Sequence, residues 1–147
     1  MENTILPGDM VFSEKVTYYT RSVQSGEVVT FVSTLESTAD DQPMTLIKRV
    51  IAVGGQTVDI INGAVYVDGE LLAEDYALGR TDPIPIHASG VEVSYPYTVP
   101  DGYIWVMGDN RELSKDSRYF GAVPVSAVTG RAFFIYWPLD RIGLLAG

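Results

Sequence analysis

The chain has 147 residues, 46% of them apolar, which suits one domain with a sizeable core and is short for two. It has no cysteine, which excludes a disulfide framework, thiolate metal ligands and a cysteine nucleophile; its single histidine, His87, argues against Ser-His-Asp chemistry. A net charge of -9 repels phosphate backbones, so no nucleic-acid partner is expected.

In chain order, short runs rich in Val, Ile, Tyr and Phe alternate with Gly, Asp, Asn and Pro, the pattern of an all-β domain. The predicted strands are Asp9 to Thr17, Glu27 to Val32, Thr45 to Val53, Thr57 to Ile61, Ala64 to Val67, Val91 to Tyr95, Tyr103 to Met107 and Arg131 to Trp137. Asn62-Gly63 predicts a tight hairpin, and Asp68-Gly69 a second turn close behind it. Ser33 to Pro43 and Ala73 to Gly90 read as loops. Short helical turns are expected only near Ser114 to Tyr119 or Pro124 to Val128. The whole, residues 1-147, reads as one domain with a smaller inserted loop and β region at about 59-100. No window approaches the roughly 18 consecutive apolar residues of a membrane span, and the first residues lack the charged and apolar regions of a signal peptide.

Two segments could carry chemistry. If Thr45 to Ile51 is a strand, Leu46, Lys48 and Val50 share one face and Ile47, Arg49 and Ile51 the other. Lys48 then either blunts an exposed strand edge or acts as a desolvated general base. The second role needs an ammonium whose ordinary pKa of about 10.4 is lowered by several units through burial. The other segment is Val106-Met107-Gly108-Asp109-Asn110-Arg111-Glu112-Leu113-Ser114-Lys115-Asp116-Ser117-Arg118-Tyr119-Phe120-Gly121. By composition it is either a salt-bridged surface loop or part of a site.

Taken together, these segments resemble the type I signal peptidases, the Ser/Lys leader peptidase family. Lys48-Arg49-Val50-Ile51 is similar to the family's lysine box, and Gly108-Asp109-Asn110-Arg111 with Ser114, Asp116-Ser117-Arg118 and Phe120-Gly121 to its Gly-Asp-Asn-Arg box. Ser25 to Val29 resembles a conserved strand start. Met1 to Asp9 resembles the serine box Ser-Met-x-Pro-Thr-Leu-x-x-Gly-Asp, with Asn3 where Pro is usual, Thr4 at Thr and Ile5 at Leu. Ala52, Gly54 and Gln56 depart from the family's usual residues.

The resemblance implies a mainly β fold of antiparallel sheet or barrel-like kind, attached to the cell membrane by an upstream anchor, with the catalytic domain on the extracytoplasmic face. It implies a serine endopeptidase that removes signal peptides from secreted preproteins after small residues at the -3 and -1 positions, with no cofactor and no metal. The nucleophilic serine is expected immediately before Met1, so the chain as written is expected to be inactive. Lys48 would be the general base, oriented by Ser114, with substrate added as a strand beside Thr45, Leu46 and Ile47. Arg49 with Asp109, and Asp116 with Arg118, would be supporting ion pairs. Exposed aromatics such as Tyr18, Tyr19 or Trp137 could touch lipid. The alternatives are a non-catalytic relative assisting pilus or surface-protein assembly, a self-cleaving repressor-type peptidase, and a β-sandwich binding module.

Overall fold

The computed structural model describes residues 1-2, 4-37 and 42-145. The larger sheet contains β1 (Met10–Glu14), β2 (Val28–Ser37), β3 (Pro43–Val53), β8 (Tyr103–Met107), β9 (Val123–Pro124), β10 (Val128–Trp137) and β11 (Gly143–Leu144). Its order is β1-β10-β2-β3-β8-β9, with β11 also on β10. The smaller sheet runs β6-β5-β4-β7, from β4 (Thr57–Ile61), β5 (Ala64–Val67), β6 (Glu70–Leu71) and β7 (Tyr97–Thr98). The one α-helical turn among the described residues is α1 (Ser117–Phe120), and a 3-10 turn follows at Val125–Ala127. The fold is mainly antiparallel β.

Three strands have the bounds expected from sequence: β4, β5 and β8. Between β4 and β5 the hairpin turns on Asn62 and Gly63, both at positive φ, which their short or absent side chains tolerate. The first strand is shorter than expected, because the chain leaves it at Glu14 for a 3-10 turn over Val16–Tyr19. There the Glu14 carboxylate accepts from the Thr17 N–H and hydroxyl. Ser33 to Pro43 is not all loop: β2 runs on to Ser37 and pairs with Pro43, while residues 38-41 of that stretch lie outside the described residues. Val91 to Tyr95 is not a strand. Its alternate apolar residues instead cap two cores without a ladder, and pairing resumes at Tyr97.

Those cores lie on the two faces of β8. Ile104 and Val106 enter one with Val29, Phe31, Val50, Phe120 and Val128, while Trp105 and Met107 enter the other with Ile51, Val58, Val65 and Val99. The period-two alternation of a strand makes this division, and burial on both sides explains why Ile104 to Met107 are all apolar, while Tyr103 at the start of the strand is exposed. Strand β3 is paired with β2 from Met44 to Arg49. On its other side it meets β8 only from Arg49 to Val53. The β8-side edge of Met44 to Lys48 therefore has no strand partner among the described residues.

Beside β1 and β10, Met10, Phe12, Tyr136, Trp137, Leu139, Ile142 and Leu144 are exposed. The Phe12 ring lies 4.4 Å from Tyr136 and 6.3 Å from Phe134, so this is a contiguous apolar face. No described helix is long and apolar enough to cross a membrane.

Candidate active site

The site is framed by buried ion pairs at the end of β8. Arg49 projects from the fully buried half of β3, and its Nε and Nη2 donate to Asp109 Oδ1 and Oδ2 at 3.0 and 2.9 Å. Both side chains are wholly buried, a placement tolerable only because each charge meets the other in a two-pronged geometry. Arg49 also donates to the Gly26 carbonyl at 2.9 Å and lies 3.9 Å above the Tyr76 ring. Burial, then the charge of Glu74, pushes the Tyr76 hydroxyl up to about 12.

Further along the loop, Arg118 donates to both Asp116 oxygens at 2.9 Å and to the Arg111 carbonyl at 2.7 Å. Asp116 Oδ2 accepts from the Gly108 N–H at 3.1 Å, and Ser117 Oγ from the Val106 N–H at 2.9 Å. Arg111 is held by Glu74, by the Thr81 hydroxyl at 2.9 Å and by the Gly108 carbonyl at 3.0 Å. The loop from Gly108 to Arg118 is thus fastened at both ends and in the middle. It is salt-bridged, as its composition allows, with Arg111, Asp116 and Arg118 buried while Glu112, Leu113 and Lys115 stay exposed.

Ser114 rides on this frame. Its hydroxyl is buried and has no hydrogen-bond partner among the described residues. It fits because residue 108 is glycine: a Cβ there would lie 2.2 Å from Ser114 Oγ and 3.8 Å from Lys48 Cδ. Lys48 extends from the face of β3 that also carries Leu46 and Val50. A cavity of about 490 Å³ is lined by Lys48, Ser114, Leu46, Met1, Leu113 and Lys115, among others. A bond from Lys48 to the Ser114 oxygen, implied by the resemblance, is not made here, although the two residues share the cavity.

The first residues close the cavity. The Met1 carbonyl accepts from the Thr4 and Ile5 N–H groups at 3.1 and 2.8 Å, folding the segment into a turn. Thr4 Oγ1 donates to Asp109 Oδ2, and the Thr4 carbonyl accepts from Arg141 Nη2 at 3.2 Å. Arg141 also grips Asp9 at 2.9 to 3.1 Å. Burial, then the like charge of Lys48, lowers the Met1 amine from its ordinary 8.0.

Of the residues singled out in the sequence, Lys48, Ser114, Arg49, Asp109, Asp116 and Arg118 gather around this loop, and Thr45, Leu46 and Ile47 lie on the open edge leading to it. Sequence reading missed Glu74, Tyr76 and Thr81, since nothing local marks a residue that folds back from a distant loop onto an arginine. It also missed the tie from Thr4 to Asp109, although the serine-box match placed Thr4 nearby. Tyr18 is half-buried and bonded to Glu27 at 3.1 Å, rather than exposed; Tyr19 and Trp137 are exposed.

A family model described as signal peptidase, peptidase S26 matches residues 1-137. A probable signal peptidase I of Synechocystis is 39% identical over 144 residues, covering 97% of this chain and 69% of its own length. A second from the same organism is 39% identical over 99% of this chain and 62% of its own length. A probable thylakoidal processing peptidase of Arabidopsis thaliana is 34% identical over 95% of this chain, which spans 36% of its length. Among solved structures, a signal peptidase I from Enterococcus faecalis superposes with a TM-score of 0.56 at 28% identity, covering 76% of this chain and 97% of that one. With the family match running from the first residue through the end of β10, the chain belongs to the signal peptidase family, peptidase S26.

Proposed function

We propose that the protein carrying this chain is a membrane-associated serine endopeptidase that removes signal peptides from secreted preproteins with a Ser/Lys pair. The observation that carries the reading is the convergence of Lys48, Ser114 and the Met1 backbone on one cavity at the end of an unpaired strand edge. A serine joined to the Met1 nitrogen would present its hydroxyl to Lys48. The neutral amine takes that proton as the oxygen attacks the scissile carbonyl, then returns it to the leaving amine. The tetrahedral oxyanion is held by the serine's own N–H. Ser114 Oγ, which has a free lone pair, accepts from the amine once substrate closes the cavity and fixes its direction.

Substrate recognition follows from the open edge. An extended cleavage region adds as a strand along Thr45, Leu46 and Ile47, with backbone bonds giving affinity and shallow apolar contacts excluding large side chains. The apolar face of Phe12, Tyr136, Trp137 and Leu144 sits in the lipid interface, on the extracytoplasmic side of the cell membrane, and brings the edge to membrane-held preproteins. In this reading residues 1-147 alone cleave no signal peptide. The test is a form bearing serine directly before Met1, offered preproteins with Ala, Leu or Phe at -1. Cleavage after Ala alone, abolished at every pH by Lys48→Met, is the expected result. Cleavage after Leu or Phe, or by the Lys48→Met form, would refute the reading.

A further inference from the structure

The unexplained feature of the site is how a segment with little secondary structure keeps its place beside Lys48. The described residues before Met10 hold no strand or helix, and the first strand begins at Met10. Yet the Met1 carbonyl is tied to the Thr4 and Ile5 N–H groups by one backbone bond each, Thr4 to Asp109 by its hydroxyl, Asp109 to Arg49 by two charged bonds, and Arg49 is the covalent neighbour of Lys48. The circuit is closed, because Met1 and Lys48 meet again in the cavity.

We infer that Thr4 is a positioning residue, whose hydroxyl clamps the segment that carries the nucleophile to the Arg49–Asp109 pair and thereby sets the spacing between that nucleophile and the Lys48 amine. This rests on the peptidase reading above for its catalytic meaning, but the clamp itself is a property of the folded chain.

The geometry accounts for the residue type. Asp109 is wholly buried and already takes Arg49 on both oxygens. It has lone pairs left for one short neutral donor, which a threonine or serine hydroxyl supplies and a valine of the same shape does not. The clamp has a second anchor at Arg141, which takes the Thr4 carbonyl and Asp9, so losing the hydroxyl frees the segment at its Met1 end rather than along its length. Such a loss shifts the attacking group while leaving the substrate-binding edge of β3 unchanged. A displacement near 1 Å costs on the order of 10²-fold in rate.

The test compares Thr4→Val with Thr4→Ser by two readouts. In residues 1-147, the Met1 amine is titrated by NMR: Thr4→Val should release it from burial and from Lys48, raising its pKa toward 8.0, whereas Thr4→Ser should leave it where it is. In the serine-bearing form, Thr4→Val should lower kcat on the order of 10²-fold with KM unchanged, and Thr4→Ser should restore it. An unmoved Met1 titration in Thr4→Val, or a Thr4→Ser form as slow as Thr4→Val, overturns the inference. If the serine-bearing form with Thr4 intact cleaves nothing, the peptidase reading fails, and the titration alone decides the clamp.

Discussion

Gly108 and Ser114 are packed so closely that a methyl group on the first would stand 2.2 Å from the hydroxyl oxygen and 2.6 Å from the Cβ of the second. The backbone at 108 is an ordinary one for any residue, so the requirement for glycine there is one of space. Gly108→Ala must push Ser114 away from Lys48 or move a loop fixed by Asp116 and Arg118. The expected loss of stability is about 1 to 3 kcal/mol, as for other overpacked interiors. Urea unfolding of the variant measures it, and cleavage in the serine-bearing form should fall at least as far as in Ser114→Ala.

Ser114→Ala should separate function from stability. The buried hydroxyl has no partner among the described residues, and an unmet polar group of this kind costs about 1 to 3 kcal/mol. Removing it should leave the chain as stable as before or more so, while lowering kcat on the order of 10²-fold or more through a misdirected Lys48 amine. Thermal unfolding and single-turnover cleavage together check this; a variant that loses both stability and activity would contradict it.

Asp109→Ala leaves the Arg49 guanidinium charged, wholly buried and facing an apolar methyl. About 3 to 5 kcal/mol of stability should be lost, a large part of what a domain this size has. Arg49→Met combined with Asp109→Leu removes both charges and should unfold later in urea than Asp109→Ala alone. The reverse order would mean that the pair acts through shape and not through charge.

Glu27 offers the pH test. It is buried, and burial alone would raise its pKa. The Arg21 side chain, the Gln24 N–H and the Tyr18 hydroxyl outweigh that and hold it below the ordinary 4.5. A carboxylate depressed in the folded chain contributes stability that is complete above its unfolded pKa and fades as pH drops through the lower folded value. Stability should therefore decline as pH falls below about 4.5, and Glu27→Gln should flatten that decline. At neutral pH the variant should be weaker by about 2 kcal/mol, the scale of a bond to a charged group. Urea midpoints from pH 2 to pH 7 read both effects.

The sequence speaks clearly where structure is local. Asn62-Gly63 between two apolar alternations is sufficient to set β4, its turn and β5, and the uninterrupted apolar run from Ile104 to Met107 in β8 reflects burial on both faces. Val91, Val93 and Tyr95 misled the strand reading because packing onto a core and pairing in a ladder demand the same alternation. The side-chain faces of β3 were legible from Lys48 and Arg49, but which arginine takes which carboxylate was only partly so. Arg118 and Asp116 are near neighbours, whereas Arg111 finds Glu74 across 37 positions. Such pairs depend on how a long loop returns, and no local period records that return. The proximity of Lys48 to Ser114 was accessible only through family resemblance.

Strand β3 is zipped to β2 along its early half but meets β8 only later. A half-zipped ladder is a sticky surface, ready to recruit any extended chain, including a second copy of itself. A peptide lying there would be a protective cover as much as a client, and the empty protein should be the form most prone to clumping.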